Sequence, residues 1–179
     1  MHSQDILDFW FSELAPAQWY KVDTNLDAAM VLRFEAVYRE LSRAVPPGWR
    51  ESARGVLAAV IVFDQFPRNM FRGLPQAFAT DANALALSQE TIGKNHDREL
   101  NAAERQFLYM PFQHAENRAL QTRSVQLFEC LGNANALDFA HRHRAIIERF
   151  GRFPHRNAIL GRSSTAEELD FLKQPGSSF

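Results

Sequence analysis

Ala53-Arg-Gly-Val-Leu-Ala-Ala-Val-Ile-Val-Phe-Asp-Gln-Phe66 is the stretch whose reading decides the fold. Its apolar run is continuous enough for a buried strand. It is longer than strands usually are, however, and Ala58 and Ala59 favour a helix. We read it as a central buried helix opened by Ser52 and stopped by Pro67, which pushes Phe66 toward an extended conformation.

On the N-terminal side, Ser3 caps a short apolar helix over residues 4–11, and Trp19 pins the loop that follows. Asp23 or Thr24 opens a long helix to about Ala44, with Leu26, Met30, Phe34, Val37 and Leu41 on one face. Pro46-Pro-Gly48 ends it. On the C-terminal side, residues 77–92 form a helix with Ala82, Leu85, Ala86 and Gln89 on its stepping positions and Gly93 as its stop. Asn101 caps a helix that Pro111 kinks or breaks. Helices over about 117–131 and 137–150 follow, and Thr165-Ala-Glu-Glu168 is a capping box for a last short helix. No strand-like alternation appears. The expectation is an all-α chain of stacked antiparallel helix pairs, one domain over residues 1–179, with 174–179 as a frayed tail.

Composition narrows the function classes. The chain has 179 residues, 46% hydrophobic and 23% charged, with 15 Phe beside 3 Trp and 3 Tyr, so an aromatic-rich core is expected. A net charge of −1 supplies no global field for nucleic acid or an anionic membrane. The N-terminus lacks a signal-peptide pattern and no stretch reaches a membrane span, so a cytoplasmic location is expected. Cys130 sits at helical spacing with Val125, Phe128 and Leu131 and is expected to be buried. His114-x-Glu116 and His141-x-His143 have the wrong spacing for ligands on one helix face, so no metal and no cofactor are expected. His141 and His143 are placed at the surface or a helix end.

Polar chemistry concentrates after helix ends. Phe63-Asp-Gln-Phe-Pro-Arg-Asn-Met-Phe-Arg-Gly73 is echoed by Phe150-Gly-Arg-Phe-Pro-His-Arg-Asn-Ala-Ile-Leu-Gly-Arg162, and residues 141–162 carry six arginines against one acidic residue, Glu148. Asp64, Arg68 and Asn69, then Glu116, then Arg152, Arg156 and Asn157 are candidate ligand-binding residues. Arginine offers fixed donors suited to carboxylate or phosphate, and asparagine adds donors or holds a turn. His114 and His155 are the candidate acid/base groups. This pattern fits a pocket for a small anionic ligand, with turnover left open. The alternative is a protein-interaction scaffold that takes a peptide in a helical groove, the Phe-Pro loops serving as structural latches.

Ile6-Leu-Asp-Phe-Trp-Phe11, Asp64-Gln-Phe-Pro-Arg-Asn69, Phe78-Ala-Thr-Asp81, Phe107-Leu-Tyr-Met-Pro111 with His114 and Glu116, and Phe150 to Arg162 with Thr165 together resemble the bacterial family of unknown function DUF924. The resemblance runs over nearly the whole chain and implies a tetratricopeptide-like helical superhelix. It brings no activity with it. Ala115 stands where the family pattern leads us to expect serine, so this chain has no serine nucleophile there.

Overall fold

The computed structural model describes residues 1–178 and is all-helical, with no strand among them. Among the described residues nine α-helices follow in order: α1 Ser3–Asp8, α2 Thr24–Arg43, α3 Ala53–Asp64, α4 Phe66–Met70, α5 Asp81–Gly93, α6 Ala102–His114, α7 Arg118–Leu131, α8 Ala134–Phe150 and α9 Ala166–Leu172. Short 3-10 turns connect several of them. The chain forms two compact units. The first holds Met1–Arg72 with Gln76–Pro111, and the second holds Gly73–Pro75 with the chain from Phe112 onward.

The first unit is built around α3. Eleven of its twelve residues are buried, which no solvent-facing amphipathic helix would tolerate. Ser52 accepts the Gly55 N–H and closes its N-terminus, and α1, α2, α4 and α5 pack around it. The phenylalanines stack where expected. Phe34 and Phe66 have ring centroids 4.7 Å apart, and Trp10 meets Phe107 edge-on at 5.4 Å. Trp19 donates to Trp10 O at 2.7 Å and pins its loop.

Gly55 lies where the 3-10 turn Pro47–Arg50 crosses α3, and a Cβ there would collide with the Trp49 carbonyl. Alanine ordinarily strengthens a helix, but here the steric conflict is with backbone. Gly55→Ala is expected to lower stability by about 2 kcal/mol in urea unfolding.

Both prolines depart from the sequence expectation. Phe66 is helical rather than extended, because Pro67 sits in the first turn of α4, where a missing N–H costs nothing. The first Phe-Pro segment is therefore a helical turn and not a loop. Pro111 is carried inside α6, and the bend comes later, at residues 115–117, where Asn117 accepts the Leu120 N–H and starts α7.

The buried face of α5 is Ala84, Leu87, Ser88 and Thr91, not Ala82, Leu85, Ala86 and Gln89. Thr80, just before the helix, donates to Phe63 O at 2.7 Å and sets its rotation against α3. His2, not Ser3, takes the cap position of α1, and its N–H is satisfied by Asp5 at 2.7 Å.

In the second unit α7 packs along α8. Gln121, Ser124, Val125, Leu127 and Phe128 form the buried face of α7, which leaves Cys130 exposed. Ile146, Ile147 and Phe153 make a small core, joined by Phe150 and Phe171. The Thr165 capping box forms as read. Beyond α9, Ser177 is buried and donates to Leu172 O at 3.2 Å; of the 174–179 tail, Phe179 lies outside the described residues. Among the described residues no helix is long and apolar enough to cross a membrane.

Candidate functional site

The end of α3 and the turn α4 carry the first candidate group. Asp64 is fully buried at the end of α3 and accepts from Gln65 Nε2 at 2.5 Å. Arg68, one turn on, approaches Asp64 Oδ1 at 3.4 Å and donates to its carbonyl oxygen. It also reaches both oxygens of Asp81, at 2.9 and 3.1 Å. Burial works against the guanidinium charge, and the two aspartates overcome it, so its pKa is raised. Asn69 donates to Asp27 at 2.8 Å, and Arg72 takes both oxygens of the same carboxylate. In these bonds Asp64, Arg68 and Asn69 tie α3, α4 and the starts of α2 and α5 together.

In the second unit the other two sequence groups meet. Glu116, in the α6–α7 corner, holds Arg162 in a two-pronged pair at 2.6 and 2.9 Å and accepts the Phe153 N–H at 2.8 Å. Burial pushes its carboxyl up, but Arg162 and the Phe153 N–H outweigh that and leave its pKa lowered. Arg162 also donates to Asn157 Oδ1 at 3.0 Å, and Asn157 Nδ2 reaches Ser164 Oγ at 3.0 Å. Arg152 pairs with both oxygens of Glu168, at 2.7 and 2.8 Å, and with Ser163 O at 2.9 Å. Hydrogen bonds from Arg152, with the Thr165 N–H adding to them, hold Glu168 at a pKa of about 2. Glu116, Arg152, Asn157 and Arg162 thus pin the 151–165 segment onto the ends of α6 and α9.

Phe153 is the hub of what remains. It is fully buried, with Arg156 stacked over its ring at 4.7 Å, His143 edge-on at 5.5 Å and His155 at 5.6 Å. His114, the last residue of α6, lies 6.1 Å from His143, centroid to centroid. Two imidazoles and a guanidinium therefore gather around one aromatic ring, with a third imidazole, His114, beside His143.

His143 was expected at the surface but is 5% exposed. It continues the inward stripe Ala136, Ala140, His143, Ile147 of α8, and that three- and four-residue stepping was the signal that sequence reasoning passed over. His143 Nδ1 lies 2.8 Å from Phe139 O one turn back. Burial, with the positive character of His114, Arg156 and His155 adding to it, pushes its pKa down to about 3. His141 is exposed, as expected. No group of His, Cys, Asp or Glu able to hold a metal ion occurs among the described residues.

Glu116 pairs with Arg162 and Glu168 with Arg152, and the Arg156 charge also acts on Glu116, while His114, His143 and His155 add imidazoles beside them. An open cleft of about 310 Å³ lies in the first unit, lined by Val45, Phe63, Ala82, Asn83, Ala86 and Leu87, with the Arg50–Glu90 ion pair beside it.

Comparison with known proteins agrees with the fold and names no activity. The solved structure of a protein of unknown function from Agrobacterium tumefaciens is 41% identical, superposes with a TM-score of 0.90 and is matched over 96% of each chain. No curated protein matches. The family described as bacterial protein of unknown function, DUF924, matches residues 6–176, and the blocks that form the α3–α4 junction and the Phe153 surround lie within that span. This chain belongs to the DUF924 family.

Proposed function

We propose that the chain binds a small anion, phosphate or carboxylate, at the cluster of His114, His155 and Arg156 beside His143. The observation that carries this reading is electrostatic. The buried imidazole of His143 feels His114, Arg156 and His155 together, all in the direction that disfavours a further positive charge. A partly buried region of that sign favours an anion, which is attracted more strongly there than in water. Glu116 and Glu168 are engaged by Arg162 and Arg152, and Arg156 also acts on Glu116. On this reading Glu116, Arg152 and Asn157 set the shape of the binding segment, and Asp64, Arg68 and Asn69 brace the first unit. The proposal is for binding, with no reaction assigned.

Calorimetric titration with phosphate, sulfate and small carboxylates tests it. Binding is expected for at least one class, with a matching rise in melting temperature. His155→Ala is expected to weaken it about tenfold, equivalent to about 1.4 kcal/mol. No heat and no thermal shift with any of these anions would end the proposal.

The cleft in the first unit favours a second reading, the peptide-binding scaffold. Its volume of about 310 Å³ is at the low end for a binding pocket, and its apolar lining suits one or two side chains of a peptide segment. Ala86→Trp, which fills the cleft, would abolish peptide capture and leave anion binding intact. His155→Ala would do the reverse.

A further inference from the structure

We propose that the cleft in the first unit is a binding site for a small carboxylic acid with an apolar body, its hydrocarbon lying along α5 and its carboxylate at Arg50 and Lys94. This goes beyond both readings above and uses no residue of the second unit.

The cleft owes its shape to small side chains on one row of α5. Ala82, Ala86, Glu90 and Lys94 follow at four-residue steps, so they stand in line along the helix surface, with Lys94 at its C-terminal cap. The first two end at a methyl group and leave room above the helix. Val45, Phe63 and Leu87 complete the apolar lining. From Ala82 to Glu90 the row is about 12 Å long. The volume of about 310 Å³ suits a small ligand.

The other half of the row is ionic. Glu90 accepts from Lys94 Nζ at 2.6 Å on one oxygen and from Arg50 Nη2 on the other. One carboxylate thus serves two cations and takes one N–H from each, where a guanidinium offers five and an ammonium three. Arg50, Leu87 and Glu90 also line a smaller recess that Thr91, Lys94 and His96 continue, so the two cations stand where the apolar cleft ends. Among the described residues that line either space, Glu90 is the only acidic one. A second carboxylate there balances the charge through charge-assisted hydrogen bonds.

The walls select the body. The backbone groups along α5 are bonded within the helix, and Asn83 is the one side-chain amide that lines the cleft among the described residues. A peptide brings an N–H and a C=O with almost every residue, each needing a partner. A hydrocarbon brings neither and gains from every CH₂ withdrawn from water.

Calorimetric titration with octanoate, hexanoate and butyrate tests the assignment, with octanol as the uncharged control. Octanoate is expected to bind at least about tenfold more tightly than octanol, and affinity is expected to fall about threefold for each CH₂ removed. Arg50→Gln is expected to weaken octanoate binding about tenfold, and Ala86→Trp to abolish it. Both substitutions fall at exposed positions, one on each half of the row. No binding of octanoate, equal binding of octanol, or an unchanged octanoate affinity in either variant would overturn the inference. A leucine-ended peptide that binds where octanoate does not would overturn it in favour of the peptide reading of the same cleft.

Discussion

Glu116→Ala is expected to destabilise the protein by about 3 kcal/mol in urea unfolding. Glu116 answers three donors at once: two from Arg162 and the Phe153 N–H. Truncation leaves a guanidinium without its partner and a backbone N–H orphaned beside a fully buried ring. Breaking a fully buried pair costs about 3–5 kcal/mol, and the lower end applies because both partners stay about a quarter exposed. Glu116→Gln keeps an acceptor for Phe153 and should lose about half as much. Glu167→Ala provides the contrast. Its pair with Arg149 is 64% and 48% exposed, so removing it should change stability by no more than about 0.5 kcal/mol.

Stability is also expected to fall by about 2 kcal/mol between pH 7 and pH 5, with His143 as the main source. Its folded pKa is about 3, against 6.5 in the unfolded chain. A base whose folded pKa is lowered is neutral in the fold and protonated in the unfolded chain once pH drops below 6.5. Stability is therefore full above 6.5 and declines by about 1.4 kcal/mol for each unit below it, levelling near pH 3. The carboxylates separate cleanly from this effect. Glu116 and Glu168 are lowered from 4.5, so their contribution is present above that value and is lost only as pH falls toward their folded pKa. Urea unfolding at pH 7, 6 and 5 reads the His143 effect apart from these two carboxylates. His143→Leu should flatten the profile in that window, and an unchanged slope in the variant would assign the acid sensitivity elsewhere.

The parts of the fold legible in the sequence were those governed by neighbours along the chain. Asp23, Ser52 and Thr165 cap helices as read, because capping needs only an oxygen and an N–H two or three residues on. The apolar stripe of α2 works for the same reason: Met30, Phe34, Val37 and Leu41 all point inward. Legibility ended where a residue suits two environments. Alanines on both sides of α5 left its buried face undetermined until Thr80 tied it to α3. Pro67 and Pro111 were weighed as helix stops, although a proline in a first turn, or inside a helix whose packing tolerates it, does not end one.

The site shows the same division. Residue types in the Phe-Pro segments pointed to a polar network, and Glu116 does meet Arg162 and Phe153. Arg152, however, found its carboxylate in Glu168, which the sequence presents only as half of a capping box. One glutamate serves both purposes, accepting from Thr165 N and from Arg152. His143 was passed over because its exposed neighbours, His141 and Arg142, look like a solvated run. Its spacing from Ala136 and Ala140 outweighs them.

Histidine-resolved NMR during a phosphate titration tests the central claim most directly, since the six histidines include three outside the cluster. Saturable shifts are expected at His114, His143 and His155, with His2, His96 and His141 unmoved. Uniform small shifts at all six, or none at the three clustered rings, would contradict it.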